Sequence, residues 1–291
     1  MPRARTSCGT GIVGRVQTFT ARDGTGIAFH VIGQTNGDAA AIVVPGGPCR
    51  GVDYLEDLAG AADLAGRPLA VLHPRGTPTT GGLSRGWWTD ADDLVDLADH
   101  LGLEAVDVVA HSAGTRLALA AWARTPERVR SLALVTPAAA WFTDAPRDSV
   151  ELARRRHDPL VDRALDSLTG PEPRDQAEFE RARELEGPAG YARWTEREQR
   201  HAAVGEWSLA SLDAYFADIP ADAAELVRAA PSRPALVIAG DEDILVGVRT
   251  VEAYADAIGA DLRFLDACGH YPWVEQPEAF RALLGDWLRQ R

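Results

Sequence analysis

In the segment VVAHSAGTRL, residues 108–117, a single serine separates an apolar run from an alanine-rich stretch. A serine hydroxyl on its own is a weak nucleophile. It needs a base within reach, an acid to orient that base, and donors for the oxyanion that its attack creates. Ser112 falls where strand gives way to helix, which lifts its side chain out of the sheet and aims a helix N-terminus at developing negative charge. Small neighbours are required there: Gly114 is one, and Ala110 differs from glycine by one methyl. The base is expected to be His270, in DACGHYPWVEQPEAF (266–280), just after an apolar strand and before the last helix. The acid is expected in GDED (240–243) after another strand. Asp243 is the choice for holding the imidazole, with Asp241 left to capping or loop stiffening. VVPGGPC (43–49) ends a strand in two glycines that let backbone N–H groups approach a ligand, so Gly47 and Ala113 are the expected oxyanion donors. His73 and His111 also fall at strand ends, where a structural hydrogen-bonding role is the simpler reading.

The surrounding chain supplies the elements that these residues need. Two alternating segments, 15–21 and 26–33, flank Arg22-Asp23-Gly24 and read as a β-hairpin. Continuous apolar runs at 39–47, 68–76, 104–111, 129–137 and 234–240 read as buried parallel strands, with a further strand at 261–266. Helical spacing recurs between them at 52–66, 89–103, 113–124, 247–258 and 277–290, with Thr89 as the expected N-cap of the second helix. This order predicts an α/β fold: a mostly parallel central sheet flanked by helices on both faces. Residues 141–222 break the rhythm. They hold no convincing strand, are rich in Glu, Asp and Arg, and carry turn signals at TGPEP and EGPAG. They read as a helical cap inserted after the sixth core strand, leaving 1–140 and 223–291 as the core.

Composition narrows the function further. At 291 residues with a net charge of −13 the chain lacks the clustered cations that a general nucleic-acid binder requires. Every basic residue is arginine. No run of eighteen apolar residues occurs, so no membrane span is expected. Residues 1–15 are basic but have no apolar h-region, and read as a loose tail rather than a secretory signal. Cys8, Cys49 and Cys268 are widely spaced with no metal or C-x-x-C pattern, which fits a reduced cytoplasmic protein.

Taken together these motifs resemble the α/β-hydrolase superfamily, and within it the prolyl-iminopeptidase-like branch. The order Ser112, Asp243, His270 is the order that superfamily uses. PGGPC resembles the branch's H-G-G-P-G loop, HPRG (73–76) its D-x-R-G segment, and GHYPWVEQPEAF its histidine loop. Pro45, Cys49 and His73 depart from those patterns on the substrate side. The resemblance implies a cofactor-independent serine hydrolase that cleaves a small amide or ester, with a small molecule or short peptide as its partner. In the peptidases cap glutamates hold the substrate's α-ammonium. RWTEREQRH (193–201) resembles that element, making Glu196, Glu198 and Glu206 the candidates. The alternatives are an esterase or lactonase acting on a secondary metabolite, or a fold relative that binds or isomerises a small molecule without hydrolysis.

Overall fold

The computed structural model describes residues 14–33, 40–55 and 58–291. The N-terminal tail and Cys8 therefore lie outside the described residues, as do parts of the expected strand at 39–47 and helix at 52–66. Eight strands form one sheet: β1 (Gln17–Thr20), β2 (Gly26–Ile32), β3 (Ala41–Val44), β4 (Leu69–His73), β5 (Val106–His111), β6 (Val129–Val135), β7 (Ala235–Gly240) and β8 (Asp261–Leu265). Their order is β1-β2-β4-β3-β5-β6-β7-β8. The first two strands form the antiparallel hairpin, β2 pairs antiparallel with β4, and every later pair is parallel.

Strands β3, β4, β5 and β7 are buried along their whole length, as a continuous apolar run in a covered sheet must be. Side chains of these strands and of β6 alternate between two cores. Ile42, Val44, Leu72, Val108 and Leu134 face one side, while Ala41, Val43, Val71, Val109 and Ala133 face the other. The first core is closed by α2 (Trp87–His100) and α3 (Gly114–Arg124). The second is closed by α1 (Leu58–Ala65) and the final helix, through Leu58, Ala61, Leu284 and Leu288. Helix α2 starts two residues before the expected N-cap. Gly86, at φ +85°, precedes it, and Thr89 lies inside its first turn. The buried pair Trp87 and Trp88 extends the apolar face backward, and that packing overrides the capping preference of threonine.

After β6 the chain runs through α4 (Ser149–Arg156), α5 (Pro159–Leu168), α6 (Gln176–Glu186), α7 (Glu196–Ala202), α8 (Leu209–Phe216) and α9 (Ala223–Arg228) before it re-enters the sheet at β7. Four of these carry sequence-legible N-caps: Asp158, Asp175, Thr195 and Ser208 each accept a backbone N–H of the following turn. The insertion has its own small core of Leu152, Ala153, Val161, Ala164 and Ala189, which also takes in Ile244 from the loop after β7. The remaining helices are α10 (Val248–Ile258), α11 (Pro272–Glu275) and α12 (Pro277–Arg289).

Candidate active site

Ser112 sits between β5 and α3 at φ +49°. For a residue with a Cβ this left-handed conformation costs about 1–3 kcal/mol, and persists only where the surroundings over-determine it. They do so at this turn. The Ser112 N–H donates to the Val135 carbonyl (2.9 Å), and its own carbonyl accepts from Thr115 Oγ1 (2.6 Å) and N–H (3.0 Å). Gly114 has no room for a side chain, since a Cβ there would lie 2.3 Å from the Pro45 carbonyl oxygen. Gly46 is equally confined: a Cβ on it would come within 2.7 Å of Ser112 Cβ and 2.6 Å of the His111 carbonyl oxygen. Ala110 is fully buried opposite Val44 of β3, where its methyl joins the first core.

The three residues expected from sequence meet at this turn. Ser112 Oγ lies 2.8 Å from His270 Nε2, and His270 Nδ1 lies 2.7 Å from Asp243 Oδ2. Because the Asp243 carboxylate only accepts, Nδ1 carries the imidazole proton and the bare Nε2 faces the serine hydroxyl. Asp243 is 1% exposed, and its other oxygen accepts the Leu245 (2.9 Å) and Val246 (3.3 Å) N–H groups, which hold the carboxylate against the ring. Asp241 instead accepts the Cys268 N–H (3.3 Å) and stiffens the loop carrying His270.

On the opposite side the loop 45–49 faces the helix N-terminus. Gly47, at φ +53°, is covered by the Trp207 ring, 2.7 Å from where a Cβ would stand. Ala113 is the N-cap of α3, and its carbonyl accepts from the buried Tyr215 hydroxyl (2.9 Å). Beside this loop lies Arg50, 2% exposed. It donates to the carbonyls of Val204 (2.9 Å) and His201 (3.2 Å) and to Tyr271 Oη (3.3 Å), so one buried guanidinium ties the segment after α7 to the core. Glu275 ties the same two parts together. Its carboxylate accepts N–H groups from Gly269 (2.7 Å), Ala192 (2.7 Å) and Arg193 (3.2 Å), while burial pushes its pKa up to about 7. Neither Arg50 nor Glu275 carries a spacing signal in the sequence, since their partners come from distant loops.

A cavity of about 600 Å³ lies beneath the insertion, with Tyr191, Trp194, Trp207, Leu245 and Tyr271 on its apolar wall and Arg50, Arg183, Glu180, Glu184, Glu186 and Glu206 on its polar one. Its size suits a small organic molecule. Ser112 and His270 do not line it; Trp207 stands between it and Gly47. Of the three glutamates expected to hold an amine, only Glu206 borders this cavity. Glu196 points to solvent, 91% exposed, and pairs with Arg200. Glu198 is consumed by its own helix. It closes a capping box with the Thr195 N–H (2.9 Å) and Oγ1 (2.5 Å), and those bonds outweigh burial and hold its pKa below the usual value. The sequence T-E-R-E is itself a capping-box pattern, and that local role accounts for Glu198. Cys49 and Cys268 are buried beside the site loops without lining the cavity. His73 bonds to His30 within the β2–β4 pair (2.8 Å), the structural role expected of a strand-end histidine.

Comparison with known proteins agrees with this architecture. The model of the alpha/beta hydrolase fold family matches residues 41–277. Over 227 residues the chain is 31% identical to a 2-hydroxymuconate semialdehyde hydrolase of Pseudomonas sp. (strain CF600), covering 73% of this chain and 71% of the relative. Among solved structures it is similar to an esterase from Exiguobacterium antarcticum (TM-score 0.66, 18% identity, 94% of this chain and 98% of the other). A haloalkane dehalogenase from Bradyrhizobium elkani is similarly close (TM-score 0.63, 22% identity, 95% and 98%). At those identities the structural likeness speaks for the fold alone, and none of these relatives is an iminopeptidase. The match over most of the chain, on a sheet whose strand ends bring Ser112, His270 and Asp243 together, makes the chain a member of the α/β-hydrolase family.

Proposed function

We propose that the protein is a serine hydrolase of small, ester-like acyl substrates, with Ser112 as nucleophile, His270 as base and acid, and Asp243 as the orienting carboxylate. The single observation that carries this reading is the continuous contact from Ser112 Oγ through His270 to Asp243, at 2.8 and 2.7 Å. In the reaction Ser112 Oγ bonds to the carbonyl carbon as its proton passes to His270 Nε2. The imidazolium is held by Asp243, and the oxyanion accepts from the N–H groups of Gly47 and Ala113. Collapse breaks the bond to the leaving group, which takes the proton from Nε2. Water then attacks the acyl-enzyme, gives a proton to His270, and Ser112 leaves with that proton restored while the acid departs. Each of these steps is carried by the chain's own groups and water.

The 31%-identical hydrolase relative supports the coarse activity. Of the glutamates named for it, the finer iminopeptidase reading keeps Glu206, which shares the cavity wall with Glu180, Glu184 and Glu186. It loses Glu196 to solvent and Glu198 to a helix cap. An ester-type substrate needs no amine-binding acid, and with a hydrolase among the relatives it is the reading we favour. A fluorophosphonate probe should label the protein, with labelling abolished in Ser112→Ala. Folded protein that is not labelled at Ser112 would leave only the non-hydrolytic alternative. Turnover of p-nitrophenyl acetate should exceed that of proline p-nitroanilide; the reverse ranking would restore the iminopeptidase.

A further inference from the structure

Tyr54 and His111 take no part in the chemistry above, yet both are buried against it. Tyr54 is fully buried and His111 is 4% exposed. The Gly46 N–H donates to Tyr54 Oη (2.5 Å), Tyr54 Oη lies 3.0 Å from His111 Nδ1, and His111 Nε2 lies 3.2 Å from the backbone carbonyl of His270. The chemistry of the groups dictates the direction of every bond. A carbonyl only accepts, so Nε2 of His111 must carry the proton. Burial and the neighbouring His270 hold the His111 pKa well below 6.5, so the ring is neutral and its Nδ1 is bare. Tyr54 must therefore donate its hydroxyl proton to Nδ1 while its oxygen accepts from Gly46.

We infer that Tyr54 and His111 are positioning residues, a directed hydrogen-bond chain that sets the oxyanion loop against the base. The chain runs from Gly46, next to Gly47, through the residue before Ser112, to the backbone of His270. It thereby joins the loops after β3, β5 and β8, the three from which oxyanion donors, nucleophile and base are drawn. Thr136 Oγ1 donates to the same His270 carbonyl (3.1 Å), so that carbonyl is held from two directions. The insertion joins the chain at Tyr54. His201 Nε2 lies 2.8 Å from the Tyr54 carbonyl and must donate to it, leaving Nδ1 to accept from the Tyr191 hydroxyl (2.6 Å). The same Tyr–His–carbonyl unit is thus repeated, once from the insertion to Tyr54 and once from Tyr54 to His270.

This inference rests on the hydrolase reading of Ser112, and its test separates the two. The probes are a fluorophosphonate and p-nitrophenyl acetate. Wild-type protein without Ser112 labelling sinks the hydrolase reading, whatever the variants do. Given labelling, Tyr54→Phe should lower kcat and the labelling rate together by roughly 10–100-fold, the scale of a displaced reacting group, with KM within about threefold. Unchanged kcat and labelling in folded Tyr54→Phe, whatever its melting temperature, would reduce Tyr54 to core packing. A second measurement needs no variant. In wild-type protein the ¹⁵N shifts of His111 should show protonated Nε2 and bare Nδ1 across the neutral range, from about one unit above to one unit below neutrality. A proton on Nδ1, or an imidazolium in that range, would overturn the chain.

Discussion

At the scale of single residues, the division of labour between two neighbouring aspartates follows from what each carboxylate touches. Asp243 meets His270 Nδ1 and two backbone N–H groups, whereas Asp241 accepts from the Cys268 N–H. Asp243→Asn should lower kcat by about 10⁴, because an amide that donates to Nδ1 enforces the wrong imidazole tautomer. Asp241→Asn should stay within roughly tenfold of wild type, because it weakens a bond that stiffens the loop and leaves the triad complete. Steady-state hydrolysis of p-nitrophenyl acetate by both variants checks the assignment, and equal losses would contradict it. Gly114 makes a second residue-scale case. An added Cβ would stand 2.3 Å from a backbone oxygen that cannot move without dragging β3. Gly114→Ala should therefore cost about 1–3 kcal/mol or more in urea unfolding and displace Pro45 from the elbow.

At the scale of elements, the insertion is held to the sheet domain by polar side chains that reach backbone groups. Arg50 serves the carbonyls of His201 and Val204, and Glu275 serves the N–H groups of Ala192 and Arg193. Arg50→Met keeps the volume and removes the buried charge, but takes from the Val204 carbonyl its side-chain donor at about 1–3 kcal/mol, while the His201 carbonyl keeps the Val204 N–H. The segment between α7 and α8 should then be cut faster by protease while the sheet stays intact. Proteolysis at wild-type rate would show that Arg50 does not hold the insertion. Glu275→Gln tests the other tie. An amide has one acceptor oxygen where the carboxylate uses two, Oε1 for Ala192 and Arg193 and Oε2 for Gly269. Its NH2 therefore faces an N–H, and the variant should lose about 1–3 kcal/mol together with the wild type's response to ionisation of Glu275.

At the scale of the whole molecule, buried ionisable groups set how stability changes with pH. Burial lowers His73 and His201 to about 4 from an ordinary value of 6.5, and His111 also lies well below that value. The unfolded chain binds protons at these positions more readily than the folded one. Their contribution is therefore complete above pH 6.5 and is lost as pH falls toward 4. Glu275 acts with the opposite sign. Raised from 4.5 to about 7 by burial, it favours the folded state below pH 4.5 and that advantage is lost as pH rises through 7. The three histidines outweigh the one glutamate, so the thermal midpoint should decline between pH 6.5 and 4, and Glu275→Gln should steepen that decline by removing the opposing gain between pH 7 and 4.5. A midpoint that rises as pH falls from 6.5 to 4 would contradict burial of the neutral histidines.

Most of the sheet was legible in the chain because strand burial leaves a direct mark. The runs at β3, β4, β5 and β7 are largely apolar, and helical spacing separates them. The order Ser112, Asp243, His270 could be read because each residue follows a strand, and parallel strands deliver their ends to one edge of the sheet. Thr89 misled because local capping preference competes with packing of Trp87 and Trp88 that only the assembled core reveals. Glu196 and Glu198 misled because a helix of acids has several faces, and only tertiary structure says which one meets the cavity. The chain from Gly46 through Tyr54 and His111 to His270 left no pattern at all. Its members are brought together by the order of strands in the sheet, and a bond between residues 159 apart has no local spacing to betray it. Sequence alone determined the elements and the chemistry they could carry, through periodicity and residue type. Tertiary structure decided which polar groups were left facing one another once those elements had packed.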